Sequence, residues 1–209
     1  MTPSRLTGLY AIADTFYLDD AQLLKAVTSA IEGGARVIQY RDKKHDAKKR
    51  VHQASEIAAL CRQQNALFIV NDDVDLAQRV NADGVHLGRD DIPLAVARVQ
   101  LGAKAIIGVS CYNELARALQ AQTDGAGYVA FGRFFPSRTK PQAVLASPEL
   151  LRAAKQKIHL PLVAIGGITP ENGAALIAAG ADALAVIEGV FGQKDIRAAV
   201  RRYAQLFNL

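Results

Sequence analysis

Short apolar runs alternate along the chain with longer stretches in which apolar residues return every three or four positions. The runs are LYAIAD (9–14), VIQYRD (37–42), LFIVND (67–72), GVHLG (84–88), AIIGVSCY (105–112), YVAFGR (128–133), PLVAIGGI (161–168) and ALAVIEG (183–189). Their length and β-rich content predict strands. Between them, DAQLLKAVTSAIEGG, KRVHQASEIAALCRQQ and PENGAALIAAGA carry helical spacing. The joints EGGARVIQY, NADGVHLG, DGAGYVAFG and AAGADALAV each put Gly near a helix end with a strand close behind. Glycine there would supply the left-handed turn that stops a helix.

Strands alternating with helices imply a parallel sheet, and parallel strands covered by helices are apolar on both faces, as these runs are. Eight units of about 26 residues each predict an α/β fold, a single compact (β/α)8 TIM barrel over residues 1–209 with no inserted domain. A doubly wound open sheet is the alternative. It usually carries Gly-x-Gly-x-x-Gly after its first strand, and Asp14-Thr15-Phe16 offers nothing of the kind.

Half of the 209 residues are apolar, enough for a full core. No run near the amino end is long enough for a signal peptide, and none approaches a membrane span, so a soluble, cytoplasmic protein with no membrane partner is expected. Cys61 and Cys111 are too few for a disulfide framework or a structural zinc site and read as reduced and structural. The net charge of +5 is spread among acidic residues. Its densest run, KKHDAKKR (43–50), starts a helical pattern and reads as a solvated helix face. With no RNP-like or zinc motif, no nucleic-acid partner is expected, whereas phosphorylated small-molecule substrates suit a modest positive balance. Whether the protein is a homo-oligomer is left open by the sequence.

In a barrel the chemistry sits at the carboxyl ends of the strands. The second run continues as VIQYRDK, which puts Gln39, Arg41 and Lys43 on one strand face and Tyr40 and Asp42 on the other. Gln39 and Lys43 are then about 13 Å apart, near the length of a small phosphorylated molecule. The third run ends in Asn71 and Asp72, the fourth leads to Arg89, Asp90 and Asp91, and the fifth carries Ser110. After the sixth comes GRFFPSRTKPQ, with Ser137, Thr139 and Lys140 between Pro136 and Pro141. The seventh ends in Ile165-Gly166-Gly167-Ile168 and the eighth in Ile187-Glu188-Gly189. Loops after strands seven and eight are where barrels commonly bind phosphate. Asp72 and Asp91 read either as N-caps of the next helices or as the carboxylates that hold Mg²⁺ on a diphosphate. His86 shares a face with Gly84 and Gly88 and reads as a packed, hydrogen-bonded histidine rather than a base. No cysteine sits beside a base, which argues against a thiol nucleophile.

QYRDK, FIVNDD, HLGRDD, GVS, PSRTK and IGGI, in this order on consecutive predicted strands, resemble the thiamine-phosphate synthase family over nearly the whole chain. The resemblance implies a transferase of thiamine biosynthesis that joins a hydroxymethylpyrimidine diphosphate to a thiazole phosphate, giving thiamine phosphate and pyrophosphate. By motif, it implies that Gln39, Tyr40, Arg41, Asp42 and Lys43, with Asn71, Ser110 and Lys140, hold the pyrimidine diphosphate. Arg41, Lys43, Ser110 and Lys140 would carry the catalysis, and Asp72 and Asp91 would bind one Mg²⁺ per active site. Ser137, Arg138, Thr139, Gly167, Ile187 and Glu188 would surround the thiazole phosphate.

The chain departs from the family's usual pattern at three places. Ser137 stands for Thr, Arg89-Asp90 for Gln-Glu, and Glu188 for Ser, a carboxylate beside an expected phosphate. Asn71 and Asp72 pose a geometric problem, because neighbours on a regular strand face opposite ways. The implied chemistry is dissociative: diphosphate leaves first, and the thiazole nitrogen attacks the pyrimidine methylene without a general base. A thiazole tautomerase-like isomerase, another phosphate-substrate barrel enzyme and a non-catalytic phosphate-ligand sensor are the alternatives.

Overall fold

A computed structural model describes residues 6–136 and 144–207. The chain runs β1 (Gly8–Asp14), α1 (Leu23–Gly33), β2 (Val37–Arg41), α2 (Ala47–Gln63), β3 (Leu67–Asn71) and α3 (Val74–Arg79). It continues through β4 (Gly84–Leu87), α4 (Leu94–Leu101), β5 (Ile106–Tyr112), α5 (Leu115–Thr123), β6 (Tyr128–Gly132) and α6 (Pro148–Lys155). Last come β7 (Leu162–Ile165), α7 (Pro170–Ala178), β8 (Ala183–Val186), α8 (Glu188–Phe191) and α9 (Ile196–Gln205). Every strand pairs in parallel with the next, and β8 pairs with β1, so the sheet closes into the expected eight-stranded barrel.

Alternation along each strand sorts the side chains into two cores. Tyr10, Ile12, Val37, Leu67, Ile69, Tyr128, Val163, Ala183 and Ala185 fill the barrel interior. Leu9, Ile38, Tyr40, Phe68, Val70, Val85, Ile107, Val129, Phe131 and Leu184 point outward into the layer beneath the helices. Each fully buried Phe or Ile contributes on the order of 2 kcal/mol or more by leaving water. Among the described residues no helix is long and apolar enough to cross a membrane.

The joints divide the labour of glycine more finely than the pattern suggested. Gly34, Gly125 and Gly180 do stop helices with φ of 112°, 86° and 114°. In NADG, however, Asn81 takes the left-handed position (φ 50°), while Gly84 already belongs to β4. A Cβ on Gly84 would lie 1.7 Å from the Ile106 carbonyl oxygen, so this glycine permits close strand approach instead of a turn. β7 and β8 are shorter than the apolar runs that predicted them, ending at Ile165 and Val186. Gly166 (φ 104°) and Gly167 (φ 62°) break the extended backbone after β7, and α8 begins at once after β8.

Candidate active site

A cavity of about 700 Å³ opens at the carboxyl ends of the strands. Gln39, Arg41, Lys43, Asn71, Asp72, Asp91, Ser110, Gly167, Ile187 and Glu188 all line it. Ser137, Arg138, Thr139 and Lys140 lie outside the described residues. Tyr40 and Asp42, which the resemblance also assigns to the pyrimidine diphosphate, do not line the cavity: their side chains are buried on the outer side, as strand alternation requires. There the Tyr40 hydroxyl lies 2.7 Å from Gln53 Oε1 and 3.1 Å from the Asp42 carboxylate, and Asp42 also accepts from Thr15 (2.8 Å). His45 Nδ1 lies 2.9 Å from the same carboxylate.

The backbone resolves the problem posed by Asn71 and Asp72. Asn71 ends β3 facing inward, and Asp72 adopts φ 63°, a left-handed turn that brings its side chain into the same cavity. The Asp72 amide holds this turn by donating to the His86 carbonyl at 2.9 Å. The next residue, Asp73, accepts from the Leu76 amide and caps α3, so Asp72 is not the cap. Asp91 is not a cap either. Its Oδ2 accepts from the Gly88 amide at 2.6 Å, and α4 starts only at Leu94, behind Pro93.

The two carboxylates meet each other and a cation. Lys43 Nζ donates to Asp72 at 2.6 Å. Burial pushes Asp72 up, but the Lys43 ammonium and a hydrogen bond with Asp91 outweigh it and hold the group below the usual carboxylate range. Asp91 moves the other way. Burial and the neighbouring Asp72 raise it, and the Gly88 amide only partly offsets them. Two carboxylates held this close call for a shared proton or a cation. Hard oxygen donors suit Mg²⁺, and no group of three or more His, Cys, Asp or Glu that could hold a metal occurs among the described residues. The pair therefore fits an ion whose remaining ligands are water and substrate phosphate.

Several residues at the site were missed in the sequence. Asp14, buried at the end of β1, forms an ion pair with Arg41 and aims its guanidinium. The strand-end rule applied to the first run would have found it. Tyr10 and Tyr128 lie on the cavity floor, and no periodicity marks them as more than core. His86 does face the interior and is hydrogen-bonded, as read. From Gln39 the contacts run Gln39 Nε2 to Tyr10 Oη (2.7 Å), Tyr10 to Tyr128 (2.8 Å), Tyr128 to His86 Nδ1 (2.9 Å) and His86 Nε2 to Ser110 Oγ (2.8 Å). At the rim, Arg89 pairs with Glu114 and lies 4.7 Å from the Tyr112 ring centroid, so the extra positive charge is already matched. Both thiols are buried in the outer layer, where burial pushes them to about 12, far from a reactive thiolate.

On the far side of the mouth, Gly166 and Gly167 pack against the segment after β6. A Cβ on Gly166 would lie 2.2 Å from Arg133 Cβ, and one on Gly167 would lie 2.3 Å from the Pro136 carbonyl oxygen. Only glycine allows both the positive φ and this approach. Asn172 completes a capping box with Thr169 at the start of α7 and donates to the Gly167 carbonyl at 3.1 Å.

The family model for thiamine monophosphate synthase matches residues 9–190. The chain belongs to this family. It is 54% identical over 204 residues to the thiamine-phosphate synthase of Nitrosococcus oceani, covering 98% of this chain and 94% of that protein. With the thiamine-phosphate synthase of Chromobacterium violaceum it shares 53% over 205 residues, 98% of either chain. The solved thiamine phosphate pyrophosphorylase from Pyrococcus furiosus superposes with a TM-score of 0.87 at 36% identity, over 97% of this chain and 96% of that one. Family membership and the closed barrel agree with the resemblance read from the six motifs.

Proposed function

We propose that this protein, working as one barrel domain over residues 1–209 in the cytoplasm, condenses 4-amino-2-methyl-5-(diphosphooxymethyl)pyrimidine with 4-methyl-5-(2-phosphooxyethyl)thiazole, giving thiamine phosphate and pyrophosphate. The observation that carries the reading is one cavity whose floor is amide and hydroxyl and whose rim gathers Arg41, Lys43, Asp72 and Asp91. Such a site stabilises a departing diphosphate and offers no thiol nucleophile.

The chain's residues divide the work by depth. Gln39, Asn71 and Ser110 meet the pyrimidine and its nearer oxygens from the strand ends, while Arg41, oriented by Asp14, donates to the diphosphate. Lys43 releases Asp72 when substrate arrives and turns its ammonium to a phosphate oxygen. Lys140 would add a second cation from the loop after β6. Asp72 and Asp91 would hold Mg²⁺, which would supply Lewis-acid neutralisation of the leaving diphosphate. Gly167, Ile187 and Glu188, with Ser137, Arg138 and Thr139, cradle the thiazole phosphate and hold the ring nitrogen in line.

Incubation of both substrates with the protein, with and without Mg²⁺, tests the reading. Thiamine phosphate and pyrophosphate should form together, and only with Mg²⁺. Binding of both ligands without product would instead favour a sensor or a tautomerase-like isomerase.

A further inference from the structure

We propose that Tyr10, Tyr128 and His86 form a one-way hydrogen-bond relay that sets Gln39 as an acceptor and Ser110 as a donor toward the pyrimidine diphosphate. The inference rests on the function proposed above and goes on to name the groups that fix the polarity of its pyrimidine subsite.

Proton counting ties the directions of the four hydrogen bonds to one another. Tyr10 accepts from Gln39 Nε2 at 2.7 Å, so its single hydroxyl proton goes to Tyr128, 2.8 Å away. Tyr128 in turn gives its proton to His86 Nδ1 at 2.9 Å. A neutral imidazole that accepts at Nδ1 carries its proton on Nε2, which faces Ser110 Oγ at 2.8 Å. Ser110 is thereby an acceptor inside the wall, and its own proton is free to point into the cavity. At the other end, an amide whose nitrogen is committed to Tyr10 leaves its oxygen for the ligand.

With a neutral His86, two polarities are self-consistent. In the reverse one, Ser110 donates to His86 and Gln39 presents its NH2 to the cavity. Any mixture sets two donors or two acceptors against each other at buried positions, since Tyr10, Gln39 and Tyr128 are 1%, 3% and 0% exposed. Burial pushes both phenols up, so each keeps its one proton. The pyrimidine matches the forward polarity at both ends: its exocyclic amine donates to Gln39, and its anionic diphosphate accepts from Ser110. Recognition of the ring amine and stabilisation of the leaving group thus favour the same relay direction. The geometry is built for it. Gly108 clears the slot for Tyr128, whose ring would meet a Cβ there at 1.9 Å, and the His86 ring stacks on Tyr128 with centroids 5.5 Å apart.

The test pairs spectroscopy with kinetics on the full chain. With only four histidines, ¹⁵N shifts identify the His86 tautomer directly, assigned by loss of its signals in His86→Gln. The wild type should carry its proton on Nε2, and Tyr128→Phe should turn that single form into a mixture. The same variant should raise KM for the pyrimidine diphosphate about tenfold and leave KM for the thiazole phosphate unchanged, because the hydroxyl in the middle of the relay is gone. An Nδ1-protonated or imidazolium His86 in the wild type would overturn the relay even if the variant failed to fold. So would equal effects of Tyr128→Phe on both KM values. An Nε2–H form in a protein that makes no thiamine phosphate would reject the substrate assignment, and with it the proposed function, but not the direction of the hydrogen bonds.

Discussion

The two faces of β2 each carry a polar cluster, and the clusters are built to opposite ends. On the outer face, Tyr40, Asp42, Gln53, His45, Thr15 and Asp20 bond to one another until the Asp42 carboxylate has five protein contacts. On the inner face, Gln39, Arg41 and Lys43 have fewer partners and leave an amide oxygen and guanidinium and ammonium donors turned to a cavity. Saturation marks the first cluster as a clamp that ties the loops after β1 and β2 together. Spare hydrogen-bonding capacity marks the second as a binding surface.

Substitutions on the two faces should separate these roles. The largest effect is expected from Asp72→Asn, which removes a carboxylate from the rim pair and should lower turnover about a hundredfold or more while urea unfolding hardly changes. An unaltered rate in saturating Mg²⁺ would sink the metal role. Asp42→Asn should do the reverse. Burial works against the Asp42 carboxylate, but the Lys44 amide, Thr15, His45 and Tyr40 overcome it and hold the group at about 2 instead of 3.8. A depressed folded value contributes stability above pH 4 that is lost as pH falls toward 2, worth about 2 kcal/mol. The variant should therefore be less stable by roughly that amount at pH 7, with the gap to wild type closing below pH 4 in urea titrations. Equal acid sensitivity of the two proteins would show that Asp42 is not the group responsible.

A smaller change, Tyr40→Phe, deletes one outer hydroxyl and should cost about 1 kcal/mol of stability, with kcat and both KM values intact. Loss of turnover would mean that the outer cluster reaches the cavity after all. Smallest is Glu188→Ser. Removing a like charge at a solvated mouth is worth about 1 kcal/mol at contact distance in water, so KM for the thiazole phosphate should fall about fivefold and that for the pyrimidine should stay put. No change would place the carboxylate's charge in solvent, away from the phosphate.

Much of this was legible beforehand because strand and helix periods differ so clearly. LFIVND and AIIGVSCY can only be short strands, and alternation correctly set Gln39, Arg41 and Lys43 against Tyr40 and Asp42. Other features were hidden from a linear reading. A left-handed turn at Asp72 is a backbone choice enforced by a neighbouring strand, through the His86 carbonyl. Whether an Asp caps a helix depends on where that helix starts. Asp73 took the role that Asp72 could have filled, and Pro93 set α4 beyond the reach of Asp91.

By itself, then, the sequence determined the barrel, the inward face of β2 and the polar strand ends that line one cavity, because period and strand-end position are local properties. Tertiary structure alone decided that Asp14 aims Arg41, that Lys43 meets Asp72, and that Tyr10, Tyr128 and His86 join Gln39 to Ser110. Those contacts cross 27, 29 and up to 118 residues of chain. Only closure of the sheet brings such distant strand ends within hydrogen-bond reach, and no local pattern encodes a distance across a barrel.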